Sequence, residues 1–248
     1  MTNALQNFIA AHSWVDLALL AFIALAMPAM SLMAGRQLSR EAQSSLIPRY
    51  WFTLARGLLA AGVLLFAWYW LGRPFAALGL DVPVNLRGQI GFAFVAAAAV
   101  LLGFNLWRIR KISGARLDNA TVSLGRLKIV PRTKAELAVF LLVAINAGFW
   151  EELLYRGFLL WLLIPAAGVA GAIAISSILF GLGHVYQGWR GVLATGSVGL
   201  VFALFYAFTR SLWWVMAAHA LIDIHGGFVS YQLRRMLARR SPIAQPVG

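Results

Sequence analysis

The 248-residue sequence contains no cysteine. Disulfides, thiolate metal sites and a cysteine nucleophile are therefore excluded. It is also poor in charge, with 12% Asp, Glu, Lys and Arg against 61% hydrophobic residues. A soluble domain carries about 25% charged and roughly 45–50% apolar residues. Both departures point the same way, to an all-α membrane protein. No polar stretch is long enough to build a soluble second domain, so residues 1–248 read as one integral-membrane domain. Two hydrolase signatures are missing as well. There is no His-Glu-x-x-His zinc motif and no Gly-x-Ser-x-Gly elbow.

Acidic residues are scarcest, eight against 21 Lys and Arg, for a net charge of +13. The basic residues cluster between apolar runs rather than lining a groove, which argues for membrane flanks and against nucleic acid. A membrane span needs about 20 apolar residues. Seven candidates follow, at about 14–35, 51–72, 88–107, 135–164, 168–186, 191–209 and 212–233. The first has no basic residues ahead of it and reads as a retained span rather than a cleaved signal. The fourth is too long for one crossing: either it tilts, or it ends near Gly148 and a further helix begins at Glu151. The expectation is thus a polytopic bundle of seven to eight helices.

Arg36, Arg40 and Arg49 follow the first span, and eight basic residues from Arg108 to Lys134 follow the third. Arg190 follows the fifth and Arg234, Arg235, Arg239 and Arg240 the seventh. The alternate connections hold only Arg73 and Arg87, then none, then Arg210. By the positive-inside rule the N-terminus is outside and the C-terminus cytoplasmic. The segment 115–130 reads as a positive-inside loop, with a basic amphipathic surface helix as the alternative. The tail 241–248 reads as disordered. An alanine- and arginine-rich composition suggests a bacterial source, and hence the cytoplasmic (inner) membrane. No internal repeat is visible.

Three acidic residues, Glu151, Glu152 and Asp223, fall inside apolar runs. An ionisable residue at membrane depth is a functional-site hypothesis by default. Arg156 is four residues after Glu152, the favoured order for a pair on one helix face. Adjacent helical positions point about 100° apart, so Glu151 is left to look across to another helix. In Phe180-Gly-Leu-Gly-His184 the two glycines permit close backbone approach. His219 and Asp223 share a helix face, followed by Gly226 and Gly227, which again permit close contact. Glu151, His184 and His219 would supply the His₂Glu set of a zinc site with an open water position. Without metal, Glu151 would take a proton from water and the histidines would stabilise the oxyanion. A proton- or cation-coupled transporter using the same buried groups, and a non-enzymatic scaffold or immunity protein, are the alternatives.

Glu151-Glu152-x-x-x-Arg156, Phe180-x-x-x-His184 and His219-x-x-x-Asp223, in this order on separate spans, resemble the motifs of the CAAX protease and bacteriocin-processing family (CPBP, or Abi). These are intramembrane endopeptidases related to the Ras-converting CAAX prenyl protease. The resemblance covers 131–227 and includes Pro131-Arg132-Thr133-x-x-Glu136. It implies peptide-bond hydrolysis by water activated at Glu151, with His184 and His219 completing the site and Glu152 orienting Arg156. The expected partner is a membrane-associated or cytoplasmic-side peptide or protein, with one zinc-like divalent ion as an open question and no organic cofactor. Bacteria generally lack protein prenylation, so the CAAX substrate itself is not carried over.

Overall fold

The computed structural model describes residues 12–40, 44–81, 83–114, 116–117 and 129–240. The expected surface segment 115–130 lies almost wholly outside them, and the expected disordered tail 241–248 entirely so. Among the described residues every regular element is helical. Six helices are long and apolar enough to cross a membrane: α1 (Trp14–Gln37), α2 (Ile47–Trp70), α3 (Leu86–Ile109), α4 (Lys134–Leu182), α5 (Trp189–Thr209) and α6 (Leu212–Arg239). The sequence reading divides the same stretches into seven or eight. The difference lies in α4, whose 49 residues hold both the fourth and the fifth expected spans.

A straight helix of that length would measure about 74 Å, far more than a bilayer core of about 30 Å. The chain reverses at Gly168, where φ 67° and ψ 171° leave the helical region. Only glycine adopts that conformation without strain. The hydroxyl of Ser176 donates to the carbonyl of Tyr155 at 3.0 Å. In a continuous helix those residues would stand about 31 Å apart. The arms 134–167 and 169–182 therefore lie side by side. No break occurs near Gly148, where the sequence allowed one. Instead the first arm widens just after Glu152, over Leu153–Phe158, and the N–H of Leu159 bonds the carbonyl of Leu154 in an i→i+5 step. Such widenings are frequent at functional sites.

Neighbouring helices set the register around this arm. The backbone N–H of Leu46 donates to Glu136 at 3.0 Å, the ring of Tyr50 meets that of Phe140 and the amide of Asn146 donates to the carbonyl of Leu54. Both chains advance together, so α2 is parallel to the first arm. Helix α6 is antiparallel to it. A Cβ on Gly148 would meet the Met216 carbonyl oxygen at 2.7 Å and one on Gly227 the Phe140 ring at 2.6 Å. Gly226, expected to pack as Gly227 does, faces open space. Gly181 behaves as the sequence suggests, since its Cβ would strike the Val192 carbonyl oxygen on α5 at 2.7 Å. The core buries Leu64, Trp68, Trp150, Tyr155, Phe158 and Val215.

The two ends of the bundle differ in charge. At one end Asp16 accepts from both Nη atoms of Arg73, at 2.6 and 2.7 Å, and the guanidinium lies over Trp68 and Trp161. At the other, Glu136 accepts from the N–H groups of Leu46 and Arg132 and is itself capped by Thr133. Asp16 and Glu136 are 1% and 4% exposed, so these segment-end acids are buried fastenings rather than solvated charges. Arg132 and Arg234 share the Glu136 end, while Arg73, Arg87 and Arg210 sit at the other.

Gly148→Ala is expected to destabilise the protein by about 1–3 kcal/mol, because its Cβ meets backbone that must move. Gly62→Ala, in open space, is expected to be neutral or to stabilise by up to about 1 kcal/mol. Thermal unfolding in detergent measures both, and equal behaviour of the two variants would contradict this packing.

Candidate active site

Helix α4 delivers both glutamates, and the reversal at Gly168 brings His184 back beside them. Glu152 points into the bundle and is fully buried with Arg156. Arg156 Nη1 donates to Glu152 Oε1 at 2.9 Å, and its Nη2 donates to the Gly199 carbonyl of α5, also at 2.9 Å. The i,i+4 pairing read from the sequence is thus present, with a carbonyl on a second helix added. The same Glu152 Oε1 lies 2.6 Å from His219 Nδ1. A carboxylate of this kind accepts, so Nδ1 carries the proton and Nε2 faces Asp223 Oδ2 at 3.6 Å. In the sequence His219 shares a helix face with Asp223 alone. The shorter bond is to Glu152, 67 residues away.

Glu151, about 100° further round the helix, faces His184. Glu151 Oε2 and His184 Nε2 are 3.8 Å apart, and Oε2 is buried with no hydrogen-bond partner. His184 Nδ1 lies 2.8 Å from the Phe180 carbonyl oxygen. A carbonyl can only accept, so Nδ1 holds a proton and Nε2 is the nitrogen turned towards Glu151. Both imidazoles are therefore held through Nδ1 and both present Nε2. The gap between Glu151 and His184 is too wide for a direct hydrogen bond and wide enough for a shared water.

The ring of Phe180 separates the two halves of the site. Its centroid is 4.8 Å from that of His184, 6.0 Å from that of His219 and 5.1 Å from that of Tyr155. The guanidinium carbon of Arg156 stands 4.3 Å from the same ring. Side-chain exposure divides the site similarly. Glu152 and Arg156 are sealed, whereas Glu151 (13%), His184 (17%) and Asp223 (38%) reach the surface of the bundle. His225 does not join them, since its Nε2 pairs with Asn105 Oδ1 on α3 at 3.0 Å.

A zinc-like ion needs three or more protein donors around one point, at about 2.0–2.3 Å each. Among the described residues no three His, Asp or Glu side chains are so arranged. Of the expected set Glu151, His184 and His219, the first two face each other, while His219 gives its nearest nitrogen to Glu152. Sequence reasoning also passed over Arg56, a charge inside the second span, and Tyr186, whose N–H is held by the Ser31 hydroxyl at 3.1 Å. The rule that flagged Glu151 should equally have flagged Arg56.

Removing one member of a buried ion pair costs about 3–5 kcal/mol, since the other charge is stranded. Arg156→Met is therefore expected to lower stability by that order, read as a fall in unfolding temperature in detergent. Glu151→Gln, which breaks no existing hydrogen bond, is expected to unfold within about 0.5 kcal/mol of the unmodified protein.

Comparison with curated proteins and with solved structures found no match. Residues 133–225, which contain all three motifs and with them Glu151, Glu152, Arg156, Phe180, His184, His219 and Asp223, match the Rce1-like family, described as type II CAAX prenyl endopeptidase Rce1-like. That segment, rather more than a third of the chain, is similar to the CAAX prenyl endopeptidases.

Proposed function

We propose that the protein hydrolyses a peptide bond with water held between Glu151 Oε2 and His184 Nε2. The observation that carries this reading is the unpartnered Glu151 oxygen 3.8 Å from an imidazole whose other nitrogen is already committed. Glu151 takes the proton from the water as it attacks the substrate carbonyl. The tetrahedral oxygen receives a hydrogen bond from His219 Nε2–H when that ring is doubly protonated, with Glu152 and Asp223 balancing its charge. Glu151 then returns its proton to the departing amine. Glu152, Arg156 and Phe180 are positioning residues: they fix His219 and the helix carrying Glu151 without touching the substrate.

The substrate is a peptide or protein reaching Glu151 from the Glu136 end of the bundle, beside His184 and Tyr186. That end carries most of the arginine and lysine, which makes it the cytoplasmic face by the positive-inside rule. A bound divalent ion, if the site takes one, would be held by Glu151 and His184 and would polarise the attacking water.

Glu151→Gln is expected to lower kcat by about 10²–10⁴-fold, the usual worth of a general base, in a mass-spectrometric assay on a peptide library with the purified protein in nanodiscs. Hydrolysis at the unmodified rate would remove Glu151 from the chemistry. Cleavage is expected to persist in metal-free protein treated with chelator. Strict recovery on adding zinc would instead give the water to a metal.

A further inference from the structure

Arg56 is a cation placed well inside α2, nine residues and about 14 Å along the axis from Ile47. Its guanidinium carbon lies 5.6 Å from the Trp150 ring centroid, one residue before the reactive glutamate. Its Nε is buried and bonds nothing, and among the described residues no carboxylate stands within ion-pair reach of it. A lone guanidinium at membrane depth is costly and faces a partner or a wet cavity.

Its surroundings are unsatisfied too. Trp150 Nε1–H and Asn146 Oδ1 are buried without partners, in residues only 1% and 6% exposed. A Cβ on Gly57 would meet Asn146 Nδ2 at 2.4 Å and Trp150 Nε1 at 2.7 Å, so both polar groups converge on α2 beside Arg56. Arg56 also shares the reactive side of the bundle. Burial raises the Tyr186 phenol most, with Glu151 and Asp223 raising it further and the Arg56 charge opposing them. One wall of the site is therefore a donor wall, opposite in character to the carboxylates.

We propose that Arg56, assisted by the Trp150 indole N–H, binds a carboxylate of the peptide lying across Glu151 and His184. The guanidinium fork matches a carboxylate in two parallel hydrogen bonds. Lipid phosphates lie at the ends of the bundle, whereas this cation sits at the level of Trp150. Arg56 is then a specificity-determining residue, and the carboxylate is the peptide's free C-terminus or an acidic side chain. The inference rests on the hydrolytic reading for what the occupant is, but its first test does not require cleavage.

That test uses the full chain carrying Glu151→Gln in nanodiscs, with N-dodecanoyl-leucine and N-dodecanoyl-leucinamide as probes, read by thermal stabilisation. The carboxylate is expected to bind about tenfold or more tightly than the amide, the scale of a charge-assisted hydrogen bond. Adding Arg56→Gln is expected to bring that ratio to about one, Arg56→Lys to retain part of it and Arg87→Gln, at the far end, all of it. Equal binding of the two probes with Arg56 intact overturns the proposal by itself, as does an undiminished preference in Arg56→Gln. Kinetics on paired peptides then separates the sources. A rise in KM on amidating the C-terminus assigns the terminal carboxylate, and a rise on replacing Glu by Gln assigns a side chain. Failure of all cleavage would reject the hydrolytic reading while the binding ratio still reports on Arg56.

Discussion

One carboxylate oxygen, Glu152 Oε1, holds this site together. It accepts from Arg156 at 2.9 Å and from His219 at 2.6 Å while fully buried. An ionised group so deep survives only if paired and hydrogen-bonded, and each of its partners comes with further ties. Arg156 reaches on to the Gly199 carbonyl of α5 and lies against Phe180. His219 brings in α6. Four stretches of chain are thereby tied to a single acid.

That fixing leaves the neighbouring acid free. Glu151 and Glu152 are adjacent in sequence, yet the helix turns them into different environments, one sealed and one open. The sealed acid gives one oxygen to Arg156 and His219 and keeps its Oε2 buried without a partner. The open one has an oxygen with nothing to accept from and an imidazole just beyond direct reach. Two identical side chains acquire two environments from the rotation of a helix, and Arg156, within the widened turn after Glu152, bonds α5.

The other charged residues divide by the same physics. Asp16 with Arg73, and Glu136 with Leu46, Arg132 and Thr133, are saturated with partners and fasten the two ends of the bundle. Arg56 is not saturated, and with Trp150 and Asn146 it leaves a set of buried polar atoms in search of a ligand. Within a membrane protein the unsatisfied group, rather than the buried group as such, marks where chemistry or binding is to be sought.

The sequence by itself determined the class of the protein and picked out most of the candidate site. Apolar runs with basic flanks give membrane helices, because a backbone in lipid has to satisfy itself. Charges inside those runs pick out Glu151, Glu152, Arg156 and Asp223, and i,i+4 spacing pairs Glu152 with Arg156, because both are local properties of a helix. Tertiary structure alone decided the rest. It made 134–182 a hairpin turned at Gly168 rather than a helix ended near Gly148, since nothing local separates a glycine that packs from one that turns. It gave His219 to Glu152 and left Gly226 unpacked. It set Arg56 against the ring of Trp150, because which faces of distant helices meet depends on packing between them and not on spacing within either.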